Sequence, residues 1–443
     1  MDKAAREALA ARVLKLSTAD QTEVAIYSSN SGLTRFTHNA VHQNVAESDT
    51  AIKIRAIVGR RTGVAATNML DDAALKGAVE RAIAMAHLAP EDPALAQLPA
   101  GGPTVAPPGA FDQTTASATP QKRAEMCDAI FRVAEKNDYW CAGFATTSES
   151  SVTIANSNGA MASFTGTDAG VNVKMNASDS SGFAECYVND CSEIDAHSIG
   201  ERAAEKTRTS ASPQTVEPGE WTVILEPAAF GELFTYIGDH FSAQAYDEGS
   251  SFLSDGLDRK YFGENVTLYD DYAHPLAPGM PFDYEGQPTR RLTLVENGVA
   301  KNVVTDSYWA KKLQRENTGH ALPAPNAYGP QALHLVVAGG TKSLDQLIAE
   351  TPRGLLISRF WYIRTVDQKK AIVTGMTRDG TFLIRDGKLA GGVRNMRFNQ
   401  SIIDCLNACE LSREQARTGS YSYSIVVPSA KISGFTFSSG TDF

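Results

Sequence analysis

The sequence predicts an α+β protein of two lobes, with mainly antiparallel sheets flanked by helices. Three observations carry this. Runs such as TEVAIYSS (22–29) and AIKIRAIV (51–58) alternate apolar and polar residues with the period of half-buried strands. Strands and helices do not alternate regularly enough for a doubly wound parallel sheet. A polar, proline-containing stretch, TSASPQTVEPGE (209–220), breaks the pattern near mid-chain. It separates an expected lobe over 1–210 from one over 215–443, and a chain of 443 residues has length for both.

Within the first lobe, residues 3–16 pattern as an amphipathic helix. The glycines of GRRTG turn 51–67 into a β-hairpin. DDAALKGAVERAIAMAH (71–87) is expected to be helical, with acids at its start where the helix dipole favours them. The proline-rich stretch 88–112 cannot be a core element and is expected to be an exposed loop or wrapping arm. A helix at 120–136, strands between 140 and 176, and a helix at 195–208 follow.

The second lobe opens with a strand, Trp221 to Leu225, that meets Pro227 at the start of a helix. Phe230, Leu233, Phe234, Ile237 and Phe241 form one apolar stripe along that helix. Later strands are expected at 290–297, 332–338, 354–360, 371–375, 381–385 and 422–427. SLDQLIAE (343–350) is expected to be a helix capped by Ser343.

The formal charge of −10 argues against nucleic acid as a partner, because duplex binding requires lysine and arginine against phosphates. No stretch approaches the ~18 consecutive apolar residues of a membrane span. Six cysteines without a CxxC pair, and no signal-peptide pattern, point to reduced thiols and a cytoplasmic protein.

Local motifs offer little chemistry. His38 and His42 have the spacing of helical zinc ligands, but their flanks pattern as strand and turn. Asp239–His240, near Glu232, is expected to be an exposed helix end. VVAGGTKS (336–343) lacks full phosphate-loop spacing and is expected to be a tight turn before the capped helix. The serines and tyrosines of 419–424 have no assignable base. TRDG (377–380) and RDGK (385–388) are expected to be turns bracketing a strand. Arg359, Arg364, Asp367, Arg378 and Asp379 can form ion pairs at a sheet end or hold a peptide carboxylate through bidentate arginine contacts.

Taken in order, AIKIRAIVGRRTGVAATN (51–68), DYEGQPTRRLTLVENGV (283–299), NTGH (317–320), AGGTKSLDQLIAE (338–350), GLLIS (354–358) and VTGMTRDGTFLIRDGKLAGGVRNMRF (373–398) resemble the TldD/PmbA (TldE) family. Active members of that family are metallopeptidases with HExxxH on the helix that opens the second lobe and a cysteine ligand near the C-terminus. Here Glu226 and Pro227 stand where the first His and the Glu would be. Gly231 stands at the second His, and SYSYSIVV (420–427) contains no cysteine. The resemblance therefore implies a PmbA/TldE-like subunit without catalytic residues or metal of its own, inactive alone. It implies zinc in a TldD-like partner bearing HExxxH, with self-association as the other pairing, and unfolded peptide as substrate. Arg359, Arg364, Arg378 and Asp379 are the residues expected to face peptide or partner.

Overall fold

The computed structural model describes residues 1–419 and 425–441. The first lobe is a six-stranded antiparallel sheet. Its strands are β1 (Gln21–Thr37), β2 (Ala40–Val58), β3 (Arg61–Thr67), β4 (Trp140–Asn156), β5 (Met161–Asn176) and β6 (Ser181–Val188), ordered β3-β2-β1-β4-β5-β6. β1 and β2 run on well past 22–29 and 51–58 into one long hairpin whose turn is His38–Asn39, both with positive φ. The sequence reading missed this extension because the added residues of β2 are polar and mostly exposed, so no apolar alternation marks them.

Helices pack on this sheet as their patterns require. Lys3–Leu16 and Asp72–Leu88 bury Leu9, Ala10, Val13, Leu75 and Val79 against Val24, Ile26, Ile52 and Ile54. Pro120–Lys136 and Ala196–Thr209 bury Met126, Ile130, Ile199 and Ala203 against Val171 and Val173. Asp71, Thr119 and Asp195 each cap their helix through a side-chain oxygen. The 88–112 stretch is an arm. Asn156 and Asn158 donate to Pro99 O and Leu98 O, and Lys311 of the second lobe donates to Leu95 O.

The second lobe holds an eleven-stranded sheet: β7 (Gly219–Leu225), β8 (Leu268–Asp270), β9 (Leu292–Glu296), β10 (Val299–Ala300), β11 (Leu335–Val337), β12 (Arg353–Asp367), β13 (Ile372–Arg385), β14 (Lys388–Gly392), β15 (Met396–Ser401), β16 (Cys409–Thr418) and β17 (Ile425–Gly440). Most pairs are antiparallel; β7–β12 and β11–β17 are parallel. β17 pairs with both β15 and β7, so β7, β12, β13, β15 and β17 close into a ring. A register shift between Ile432 and Phe435 bends β17, the usual consequence of a bulge. Phe360, Phe398, Phe435 and Phe437 fill the enclosed space with ring centroids 4.7 to 5.3 Å apart between successive neighbours.

Two expectations need correction here. TRDG is no turn: residues 377–380 lie inside β13, where Asp379 (φ 52°) and Gly380 (φ 133°) make an irregularity. A turn composition was absorbed as a bulge because the strands on both sides continue in one ladder with β12. RDGK does turn, with Asp386 and Gly387 at positive φ joining β13 to β14. His240 is not an exposed helix end. It is 1% exposed and lies 4.8 Å from the Phe252 ring. Of the strand expected at 422–427, residues 422–424 lie outside the described residues. No helix among those described is long and apolar enough to cross a membrane.

Candidate functional site

The helix Pro227–Ile237 starts where β7 ends, and its apolar stripe is entirely buried. Glu226 occupies the N-cap position but makes no cap bond. Its carboxylate instead accepts from Lys206 Nζ at 2.6 Å, and the same amine donates to Phe183 O. Pro227 fills the first turn, where its missing N–H costs nothing. Gly231 faces Thr418: a Cβ at this position would lie 2.1 Å from Thr418 Oγ1. Positions 226, 227 and 231 therefore present an ion-paired carboxylate, a ring without a donor atom, and a backbone with no room for a methyl group. A catalytic zinc takes three protein ligands and an open position. These residues do not fit that group. Of the stretch 420–427, expected from the resemblance to match a cysteine loop, residues 420–424 lie outside the described residues.

Beside this helix is a cleft of about 180 Å³, lined by Phe183 and Glu185 of β6, Gly231 and Glu232 of the helix, Arg359 of β12 and Thr418 of β16. Burial pushes the Glu232 carboxyl up to about 7, against the pull of Arg359 and of the Phe360 amide, which donates to it at 3.0 Å. Glu185 is likewise pushed up to about 7 by burial, opposed by Arg359, Lys206 and Arg202. The Arg359 guanidinium lies 4.4 Å from the Phe183 ring centroid and 5.2 Å from that of Trp361. Two protonatable carboxyls and a guanidinium thus share one partly desolvated space. That arrangement can exchange protons near neutral pH and hold a polar group.

The structure brings Arg359, Arg378 and Asp379 together and leaves Arg364 apart. Asp379 is 3% exposed and sits on the seam between lobes. It accepts from Ser181 Oγ at 2.8 Å, and Lys174 Nζ and Arg359 approach it at 3.0 and 3.1 Å. Arg378 lies 3.9 Å from the same carboxylate and 4.8 Å over the Trp361 ring. Arg364 donates to Ile363 O and lies over Tyr362. Glu185 and Thr418, which complete the cleft, and Lys206, which holds Glu226, escaped sequence reasoning. Each is far from the 227–237 helix along the chain and carries no local motif.

The remaining motifs are structural. His38 stacks on Trp140 at 4.6 Å in the hairpin turn, away from His42 on the exposed strand. Lys342 pairs with Glu350 and Glu410, and Ser343 forms a capping box with Gln346. All six cysteines are free thiols, and burial raises the pKa of Cys127, Cys141, Cys405 and Cys409.

Comparison with known proteins identifies the class. Residues 218–439 match the model of the PmbA/TldA metallopeptidase C-terminal domain, 22–86 that of metallopeptidase domain 1, and 114–211 that of the central domain. The two lobes and the 227–237 helix are thus those of a metallopeptidase family. The chain belongs to the PmbA/TldD family. It is 27% identical over 415 residues to the metalloprotease PmbA homolog of Haemophilus influenzae, covering 87% of this chain and 86% of that one. It is 25% identical over 249 residues to metalloprotease PmbA of Escherichia coli O157:H7, 53% of this chain and 51% of that one. The crystal structure of TldE from Thermococcus kodakarensis superposes with a TM-score of 0.89 at 25% identity, covering 98% of this chain and all of that one.

Proposed function

We propose that this chain is a non-catalytic, PmbA/TldE-like subunit of a TldD/TldE-type metallopeptidase complex that cleaves unfolded peptides in the cytoplasm. The carrying observation is the 227–237 helix. Its N-cap carboxylate is tied to Lys206, and its 231 position is packed against Thr418. On this reading the zinc and the water it activates belong to a TldD-like partner with HExxxH. This chain contributes walls of a chamber, with Arg359, Arg364 and Arg378 as its peptide- or partner-facing groups. Asp379 fixes Arg359 and Arg378 from behind. Pairing with a second copy of this chain, as a peptide-binding scaffold without peptidase activity, is the other assembly the reading admits.

One observation favours a second reading, an independent hydrolase. Glu185 and Glu232 line one cleft with pKa values near 7, where carboxyls serve as acid and base. A single experiment separates the two. Peptidase activity is measured for the chain alone, for an HExxxH-bearing paralogue alone and for the mixture, with elemental analysis of each. The subunit reading expects no turnover and substoichiometric zinc in the isolated chain, with activity in the mixture. Turnover by the isolated chain that disappears in Glu232→Gln establishes the hydrolase instead.

A further inference from the structure

A larger space lies on the other side of the seam. About 690 Å³ opens between Arg55, Val64 and Met85 of the first lobe and Glu285, Asp306 and Trp309 of the second. It shares Gln244, Glu248, Leu322 and Ala327 with an adjoining hollow of about 410 Å³ lined by Asp239, Ser242, Tyr328 and Gln331. The two form one continuous groove, and the larger part alone has the size of a ligand site, ~300–1,000 Å³.

The charges along it are unbalanced. Its two cations are already engaged: Arg55 by Glu23 and Glu285, Lys312 by Asp247 at 2.9 Å. Asp92, Asp239, Glu248 and Asp306 line the groove without an ion pair to any described residue. Asp306 is 8% exposed, and burial raises its carboxyl to about 6. Trp309, Tyr308 and Met85 supply apolar wall between these acids.

Ser242 gives an independent pointer to a ligand. It is 2% exposed and stands at the N-cap of the helix Ala243–Asp247, where a serine hydroxyl ordinarily accepts a backbone amide. Here the hydroxyl makes no cap bond and has no partner, and the side chain lines the groove. A buried hydroxyl without a partner is costly until a bound molecule supplies one.

We propose that this groove binds a cationic segment of an extended peptide, with lysine or arginine side chains set against Asp306 and Glu248 and a polar peptide group bonded to Ser242. Apolar wall between the acids suits the methylene stems of those side chains, which bury while their charged heads pair. Binding belongs to this chain alone and uses no residue of the cleft at Glu232. Its success or failure is therefore separable from that of the subunit reading.

The test is fluorescence anisotropy on the full chain. The probes are three labelled unstructured peptides that differ only in carrying lysine, glutamine or glutamate at the same positions. The lysine peptide is expected to bind about tenfold more tightly than the glutamine peptide, with affinity falling as salt rises, and the glutamate peptide most weakly. Glu248→Gln and Asp306→Asn together are expected to remove about that tenfold preference, Asn keeping the N-cap bond that Asp306 accepts from the Trp309 amide at 2.8 Å. Ser242→Ala is expected to weaken all three peptides alike. Glu248 and Ser242 variants are read alone if the double variant unfolds. Equal affinity for the lysine and glutamine peptides, no binding of the lysine peptide to the native chain, or unchanged preference in the Glu248 variant overturns the proposal.

Discussion

Two arginines cross the seam between the lobes, and they are held differently. Arg55 of β2 is enclosed by carboxylates: Glu23 at 2.6 Å on the neighbouring strand and Glu285 at 3.1 Å from the second lobe, whose other oxygen accepts from the Ser307 amide. Arg359 of β12 makes one ion pair within 3.5 Å among the described residues, to Asp379 at 3.1 Å, and otherwise lies between aromatic rings in the cleft it shares with Glu185 and Glu232. The first arrangement pairs both terminal nitrogens of a guanidinium with carboxylates at the wall of the 690 Å³ groove. The second fixes a guanidinium with one ion pair and two ring contacts. Two arginines of similar exposure, 14% and 19%, thus serve as a carboxylate-held clamp between the lobes in one place and as a ring-stacked wall of a cleft in the other, and the partners decide which.

The comparison can be broken most severely at Arg55. Arg55→Ala strands Glu23 and Glu285 as buried charges, and denaturant unfolding at pH 8 is expected to show a loss of about 3–5 kcal/mol. Asp379→Ala removes the acceptor shared by Ser181, Lys174 and Arg359. A loss of about 2–4 kcal/mol is expected, smaller because Lys174 and Arg359 keep partial access to water. Gly231→Ala drives a methyl into Thr418, and about 1–3 kcal/mol is expected from overpacking. The pairing with Thr418→Ala should recover most of it in a double-mutant cycle.

The smallest effect is pH-dependent and belongs to the cleft alone. Glu185 and Glu232 have folded pKa values of about 7, above the ordinary glutamate range. Between that range and pH 7 the folded state holds protons that the unfolded chain has released. Stability therefore falls as pH rises through this window and levels off above it. Glu232→Gln keeps an acceptor for the Phe360 amide and removes one titration. Its unfolding free energy is expected to match the native protein near pH 4 and exceed it by about 1–2 kcal/mol at pH 8. Parallel curves for the two proteins would place Glu232 in water.

Much of this was legible in the residues themselves. The stripe Phe230, Leu233, Phe234, Ile237 and Phe241 announced a buried helix, and all five are fully buried. The order of motifs announced the family, and the chain belongs to it. Period-two alternation found strand positions but not their lengths, because polar extensions such as the exposed part of β2 leave no apolar trace. TRDG misled because turn residues also make bulges, and only the partner strand decides between the two.

What the sequence alone determined is chemical: which side chains stand at 226, 227 and 231, and the apolar periods that bury the helix carrying them. The tertiary structure decided everything that depends on residues distant in the chain. Lys206 occupies Glu226, Thr418 fills the space before Gly231, Glu185 joins Glu232 at one cleft, and Arg55 meets Glu285 across the lobes. Periodicity is written by neighbours in the chain. Burial, and the charge balance that burial enforces, is written by neighbours in space.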